Sequence, residues 1–295
     1  MNRRQAALLI TGLLVVSFAA PLIRLAEAPP LAVAFYRNLF ASAILIPLAL
    51  ATRRRELLAM RRRDLVPLAL AGLLLAVHFA LWIPSVRLTT VAASTVLVST
   101  QPVWSAVLAR FFLGERLARA AAVGIAVALA GAVMISGFDF RLSTRAFVGD
   151  MMALTGAMAV AAHRIVAIGP RRRLSLLPFV AVVYGVCAVV LFIVVLVTGT
   201  PLTGFAPEAW LMMALLALGP QLIGHTMFNF LLRDIDPTVI AVAIMGEPVG
   251  ASILAVLLFG ELPPLGAVLG GVLLLAGIYI AVTSQSRRAT EAPLE

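Results

Sequence analysis

The sequence predicts an all-α integral membrane protein with ten transmembrane helices in two inverted five-helix repeats. Three observations carry that expectation. Hydrophobic residues make up 62% of the chain and charged residues 12%, with a mean hydropathy of +1.08, against about 45–50% and about 25% in soluble domains. Apolar runs of about 20 residues, the length that crosses about 30 Å of hydrocarbon as a helix, recur along the whole chain. The two halves also match each other under a shift that places Pro102 on Pro248.

The runs lie near 6–24, 31–51, 66–84, 90–113, 118–137, 148–168, 175–198, 208–231, 237–259 and 263–283. The first lacks an A-x-A-like cleavage site and is one of ten, so it reads as a retained span and not a signal peptide. Arg3 and Arg4 precede it, and the loop after the second run holds Arg53 to Arg55 and Arg61 to Arg63. Arg110, Arg116 and Arg119 flank the loop after the fourth run, and Arg171 to Arg173 follow the sixth. Arg233 follows the eighth, and Arg287 and Arg288 the tenth. The intervening loops carry only Arg24, Arg87, Arg141 and Arg145. This alternation puts both termini in the cytoplasm, which requires an even number of spans. The net charge of +10 therefore reads as topology and not as a nucleic-acid surface. The lone cysteine, Cys187, lies in the seventh run and excludes an intrachain disulfide.

The internal match aligns QPVWSAVLARFFLGERLARAAAVGIAVALAG (101–131) with EPVGASILAVLLFGELPPLGAVLGGVLLLAG (247–277). Gly114-Glu115 falls on Gly260-Glu261, Gly124 on Gly270, and Ala130-Gly131 on Ala276-Gly277. One residue of slippage upstream brings His78 onto His225. The expected units are 1–140 and 141–286, followed by a cytoplasmic tail at 287–295. An odd number of spans per copy forces the second copy to insert upside down. Secondary transporters use that arrangement, with the binding site near mid-membrane at the repeat interface and often at broken helices. Glu247, a carboxylate inside an apolar run, then has Gln101 as its counterpart, each followed by proline.

The doubled plan, the paired Q-P and E-P steps, the paired G-E steps and PPLAVAFYRNLFASAIL (29–45) resemble the EamA family of the drug/metabolite transporter superfamily. Within it the chain most resembles the YddG-type aromatic amino-acid exporters. The resemblance implies a ten-helix basket around a central cavity, lined by the first four helices of each half and working by alternating access. It implies export of aromatic and other small amphipathic amino acids across the bacterial inner membrane, and it places Gln101 and His163 at the cavity. Such exporters favour aromatic rings at several cavity positions. His78, Gln101 and His163 are not aromatic hydrocarbons, which points to a more polar pocket and broader selectivity.

Charged groups at the centre of a span cost roughly 2.5–3.5 kcal/mol, and polar groups there usually face the bundle interior or a wet cavity. His78 and Trp82, four residues apart on span three, share a helical face. Gln221, His225 and Asn229 repeat that spacing on span eight, a stripe about 12 Å long at about 1.5 Å per residue. With Gln101, His163 and Glu247 these are the candidate substrate-binding residues. The competing reading makes a lone histidine a packing group and bonds the hydroxyls of span four, Ser94 and Ser105 included, to their own helix.

Glu247 has three readings. It pairs with Arg37 or Arg164 as a brace, it is protonated and bonds the carbonyl freed by Pro248, or it faces the cavity to bind a substrate ammonium or carry a coupling proton. Other features read as architecture. Gly266 and Gly270 form a GxxxG step on span ten and span five is rich in Ala and Gly, so close helix packing explains both, and a weak homodimer through these helices is the alternative to a monomer. Gly219-Pro220 reads as a hinge, and Glu115 and Glu261 as charges suited to the N-termini of spans five and ten.

No cofactor is expected. The chain has no lysine, which excludes a P-loop lysine and a Schiff base. It has neither H-E-x-x-H nor G-x-S-x-G, and scattered histidines without a carboxylate pair make a poor metal site. An intramembrane enzyme is therefore disfavoured. A non-transporting scaffold would need polar stripes that pair with each other and leave no cavity. The expected partners are the lipid bilayer, an amino-acid substrate and protons. The alternative cargo is another small metabolite or a cationic drug.

Overall fold

A computed structural model describes residues 3–114, 117–231, 240 and 243–291, without the side chains of 140–142, 226, 229, 230 and 285–291. The described residues form helices joined by short turns, with no strand among them. In chain order the helices are α1 Arg3–Ser17, α2 Ala19–Leu25, α3 Pro30–Leu58, α4 Arg62–Leu88, α5 Val91–Val98, α6 Gln101–Phe112 and α7 Arg119–Leu142. They continue as α8 Thr144–Arg173, α9 Leu176–Val197 and α10 Pro207–Leu216, a π-helical segment Ala217–Gly224, α11 His225–Leu231, α12 Glu247–Phe259 and α13 Leu265–Glu291.

Eight stretches are long and apolar enough to cross a membrane: Arg3–Leu25, Pro30–Leu58, Arg62–Leu88, Val91–Phe112, Arg119–Asp139, Thr144–Arg173, Leu176–Val197 and Leu265–Ser284. The protein is thus a multi-pass membrane protein. The other two expected runs differ for identifiable reasons. The stretch 208–231 is divided by the π segment, and 237–259 lies partly outside the described residues, leaving α12 as a shorter apolar helix. The outer surface explains the composition. Val197 is 81% exposed, Phe111 78% and Leu257 74%, an arrangement disfavoured in water but without penalty against acyl chains.

Packing runs largely between the two halves of the chain. The α7 helix lies along α13, α4 along α8 and α3 along α9, while α1 packs on the π segment, α11 and α12. The α7–α13 pair is the closest because its contact points are glycines. A Cβ on Gly277 would lie 2.3 Å from the nitrogen of Ala128, and one on Gly131 would lie 2.6 Å from the carbonyl of Gly270. These glycine faces are filled within one chain, so the GxxxG step of span ten is occupied by span five.

Polar links join the halves at both ends of the bundle. At one end Arg24 is ion-paired with Glu261 and donates to the carbonyls of Val86 (3.1 Å) and Thr89 (2.8 Å). Glu261 in turn accepts from Val91 N at 2.7 Å, capping the start of α5. Its expected helix-terminal role is therefore exerted on α5 and not on its own span; Glu115 lies outside the described residues. At the other end Glu56 accepts from the backbone and hydroxyl of Ser175 (2.6 and 2.7 Å), and Arg173 donates to Asp64 at 2.7 Å.

Candidate functional site

The site grows from two interrupted helices. The α5 helix ends at Val98, and Ser99 and Thr100 make a tighter step in which Thr100 N donates to Leu97 O and Val103 N to Thr100 O. The α6 helix then opens on Gln101-Pro102. At the corresponding position Gly246 N donates to Ala243 O, and α12 opens on Glu247-Pro248. Each proline lacks the N–H that would reach the carbonyl four residues earlier, which favours a break at that turn. Gln101 and Glu247 thus each begin the second part of a broken run, and both are half-buried.

On the facing helices, His78 Nδ1 lies 3.0 Å from the carbonyl of Gly156, and His163 Nδ1 lies 2.8 Å from the carbonyl of Ala71. A carbonyl only accepts, so both Nδ1 atoms carry the proton and donate. His78 is buried and stacks on Trp82, with ring centroids 5.6 Å apart and planes 13° from parallel. The shared face expected for these two residues is present, and its first role is to hold α4 against α8.

Arg37, which entered the sequence analysis only as a possible partner of Glu247, is the centre of a buried polar group. It is 1% exposed, donates from Nε to Gln221 Oε1, and lies over the rings of Phe79 (4.6 Å) and Trp82 (5.9 Å). Gln221 Nε2 donates in turn to Asn38 Oδ1 at 3.2 Å. Two donors in this neighbourhood, Arg37 Nη1 and Trp82 Nε1, are buried without an acceptor. Glu247 lies within electrostatic reach of Arg37 and Arg164, but the ion pairs among the described residues are Arg24–Glu261 and Arg173–Asp64. Glu247 is thus near both arginines without a close ion pair to either among the described residues, and Arg37 is held by an amide and two aromatic faces.

The stripe Gln221, His225, Asn229 is not continuous. The π segment widens the turn between the first two, so Gln221 is buried against α3 while His225 is exposed. The side chain of Asn229 lies outside the described residues. His225 and the exposed Arg164 share the electrostatic surroundings of Arg37. The hydroxyls of span four mostly follow the competing reading: Thr95 donates to Val91 O, Ser99 to Thr95 O and Thr100 to Leu97 O. Ser94 pairs with Ser85, whereas Ser105 Oγ is buried without a partner.

A groove of about 340 Å³ lies between α6 and α8, lined by Trp104, Leu108, Thr155, Met158, Ala159 and Ala162. Sequence reasoning also missed Asp139 and Asp150, buried near the ends of α7 and α8. The available signal was a carboxylate just after the fifth run at Asp139 and one inside the sixth at Asp150. Among the described residues no group of three or more His, Cys, Asp or Glu side chains is placed to hold a metal.

Comparison with known proteins places this geometry. The profile of the EamA-like transporter family matches residues 4–137 and again 147–283. An uncharacterized transporter of Clostridium kluyveri is 25% identical over 261 residues, covering 84% of this chain and 82% of that protein. An uncharacterized transporter of Archaeoglobus fulgidus is 26% identical over 294 residues, covering 97% and 99%. A protein of known crystal structure superposes with a TM-score of 0.66 at 18% identity, over 95% of this chain and 98% of that one; at that identity the likeness is one of fold.

Proposed function

The chain belongs to the EamA-like transporter family, and from that premise we propose that it is a secondary transporter exporting amino acids, aromatic ones included, by alternating access. In this reading ten spans form two inverted repeats around a central cavity, with both termini in the cytoplasm of a bacterial cell. The two matches of the family profile support the repeat, as do the equivalent breaks before Gln101 and Glu247.

The cargo is argued from one observation. Arg37 Nη1 and Trp82 Nε1 are buried donors without an acceptor, in the electrostatic neighbourhood of Glu247. An unmade hydrogen bond of this kind costs about 1–3 kcal/mol, and a substrate carboxylate relieves two at once. Glu247, unpaired to either arginine, then meets the substrate ammonium. His225, His78, His163 and Arg164 share the electrostatic surroundings of Arg37 and Glu247, Gln221 positions Arg37, and in this reading Gln101 lines the same cavity. Two arginines against one carboxylate disfavour a cationic drug. They make an organic acid without an amine the second reading.

Counterflow of a panel of labelled amino acids, organic acids and cationic drugs in proteoliposomes tests this. Exchange of aromatic amino acids, lost in Arg37→Met and weakened in Glu247→Gln, is the expected result. Exchange of organic acids alone, insensitive to Glu247→Gln, selects the second reading, and no amino-acid exchange at all sinks the first.

A further inference from the structure

The transport reading leaves one polar cluster unused. Asp139 lies in the last turn of α7 and Asp150 in the second turn of α8, 3% and 0% exposed. Thr89, the residue that ends α4, donates its hydroxyl to Asp139 Oδ2 at 3.1 Å. Ser136, 4% exposed and one turn before Asp139, lies beside Asp150, as does Thr89. Thr89 and Ser136 are the hydroxyls within reach of Asp150, yet neither Ser136 Oγ nor either carboxylate oxygen of Asp150, all buried, makes a well-formed hydrogen bond.

Among the described side chains no cation balances the pair; that of Arg141 lies outside them. Arg24 is held by Glu261, Arg87 donates to the carbonyl of Ile23, and Arg145 donates to the carbonyl of Arg87. Glu27 lies beside Arg87 and adds negative charge. Neither α5 nor the stretch 265–284 of α13 carries a charged residue. Asp139 places negative charge near Asp150, and two carboxylates at one water-poor site do not both stay ionised without a cation.

We propose that Asp139 and Asp150, with the hydroxyls of Ser136 and Thr89, form a binding site for one monovalent cation, a proton or an alkali ion. The all-oxygen donor set suits a hard ion. The site also reaches the link between the halves, because Thr89 contributes its hydroxyl here and its carbonyl to Arg24, which holds Glu261. Filling or emptying the site therefore bears on the contact that closes one end of the bundle. Only this coupling rests on the transporter reading; occupancy is measurable without substrate.

The test uses purified full-length protein and its Asp150→Asn, Asp139→Asn and Ser136→Ala variants, unfolded thermally over a series of pH values in N-methylglucamine, potassium or sodium salts. A ligand bound by the folded state alone raises its melting temperature with ligand activity. A proton site gives a wild-type melting temperature that falls as pH rises in every salt, together with an infrared band of a protonated carboxyl group that disappears in parallel. An alkali-ion site gives a rise with sodium or potassium at fixed pH. In either case Asp150→Asn is flat, and if that variant does not fold, Asp139→Asn is flat and Ser136→Ala is weakened. A wild type insensitive to both pH and salt, or variants that titrate like it, overturns the site. A cation response without amino-acid counterflow leaves the site standing and removes only the proposed cargo.

Discussion

His78 and His163 hold α4 and α8 together by reciprocal hydrogen bonds, each Nδ1 donating to a backbone carbonyl of the opposite helix, at Gly156 and Ala71. The pairing fixes the tautomer, leaving Nε2 as the free ring atom of each histidine. Removing one bond with His163→Ala is expected to cost about 1 kcal/mol. The two bonds sit on separate turns, so combining it with His78→Ala adds the two losses to within about 0.5 kcal/mol. Thermal unfolding in detergent reads both quantities, and strong non-additivity would show that the clamps act as one unit.

Arg37 depends on its amide partner. Gln221→Leu removes the acceptor of a fully buried guanidinium and is expected to destabilise by about 1–3 kcal/mol. The double variant Arg37→Met/Gln221→Leu removes the stranded charge as well and recovers part of that loss, since replacing both members of a buried polar pair is milder than replacing one. A double variant less stable than Gln221→Leu would contradict this.

Two glycines on the closely packed helices make opposite predictions. Gly277→Ala pushes a methyl group into the backbone of α7 and is expected to cost about 1–3 kcal/mol. A Cβ on Gly137 meets nothing within 4 Å, so Gly137→Ala is neutral or gains about 0.5–1 kcal/mol from helix propensity. Melting temperatures of the two variants, compared side by side, decide the matter.

The Arg24–Glu261 pair predicts accessibility. With Glu261→Gln, a cysteine introduced by Gln101→Cys is expected to react several-fold faster with an impermeant maleimide added from the side on which Glu261 lies. The native Cys187 is fully buried and stays unreactive. Equal rates with and without the ion pair would mean that it does not hold that end shut.

Much of the scaffold was legible because hydrocarbon thickness imposes one length on every crossing helix, and the apolar runs announce it. Pro102 and Pro248 announced the helix breaks, and the small residues of spans five and ten marked both as close-packing helices without naming each as the other's partner. Less of the site was legible. Helical spacing placed Gln221 and His225 on one face, but the π segment separates them. Arg37 entered the sequence analysis as one possible partner of Glu247, whereas it is held by Gln221, 184 residues away in sequence, a partnership that leaves no local trace. Asp150 did not stand out because its counterparts lie on other segments, Asp139 and Ser136 on α7 and Thr89 at the end of α4.

The glycine contacts between α7 and α13 have a mechanical consequence. Backbones that interlock carbonyl against α-carbon cannot slide past one another without lifting apart, so this pair forms a stiff spine. A movement of either helix along its axis therefore has to carry the other with it.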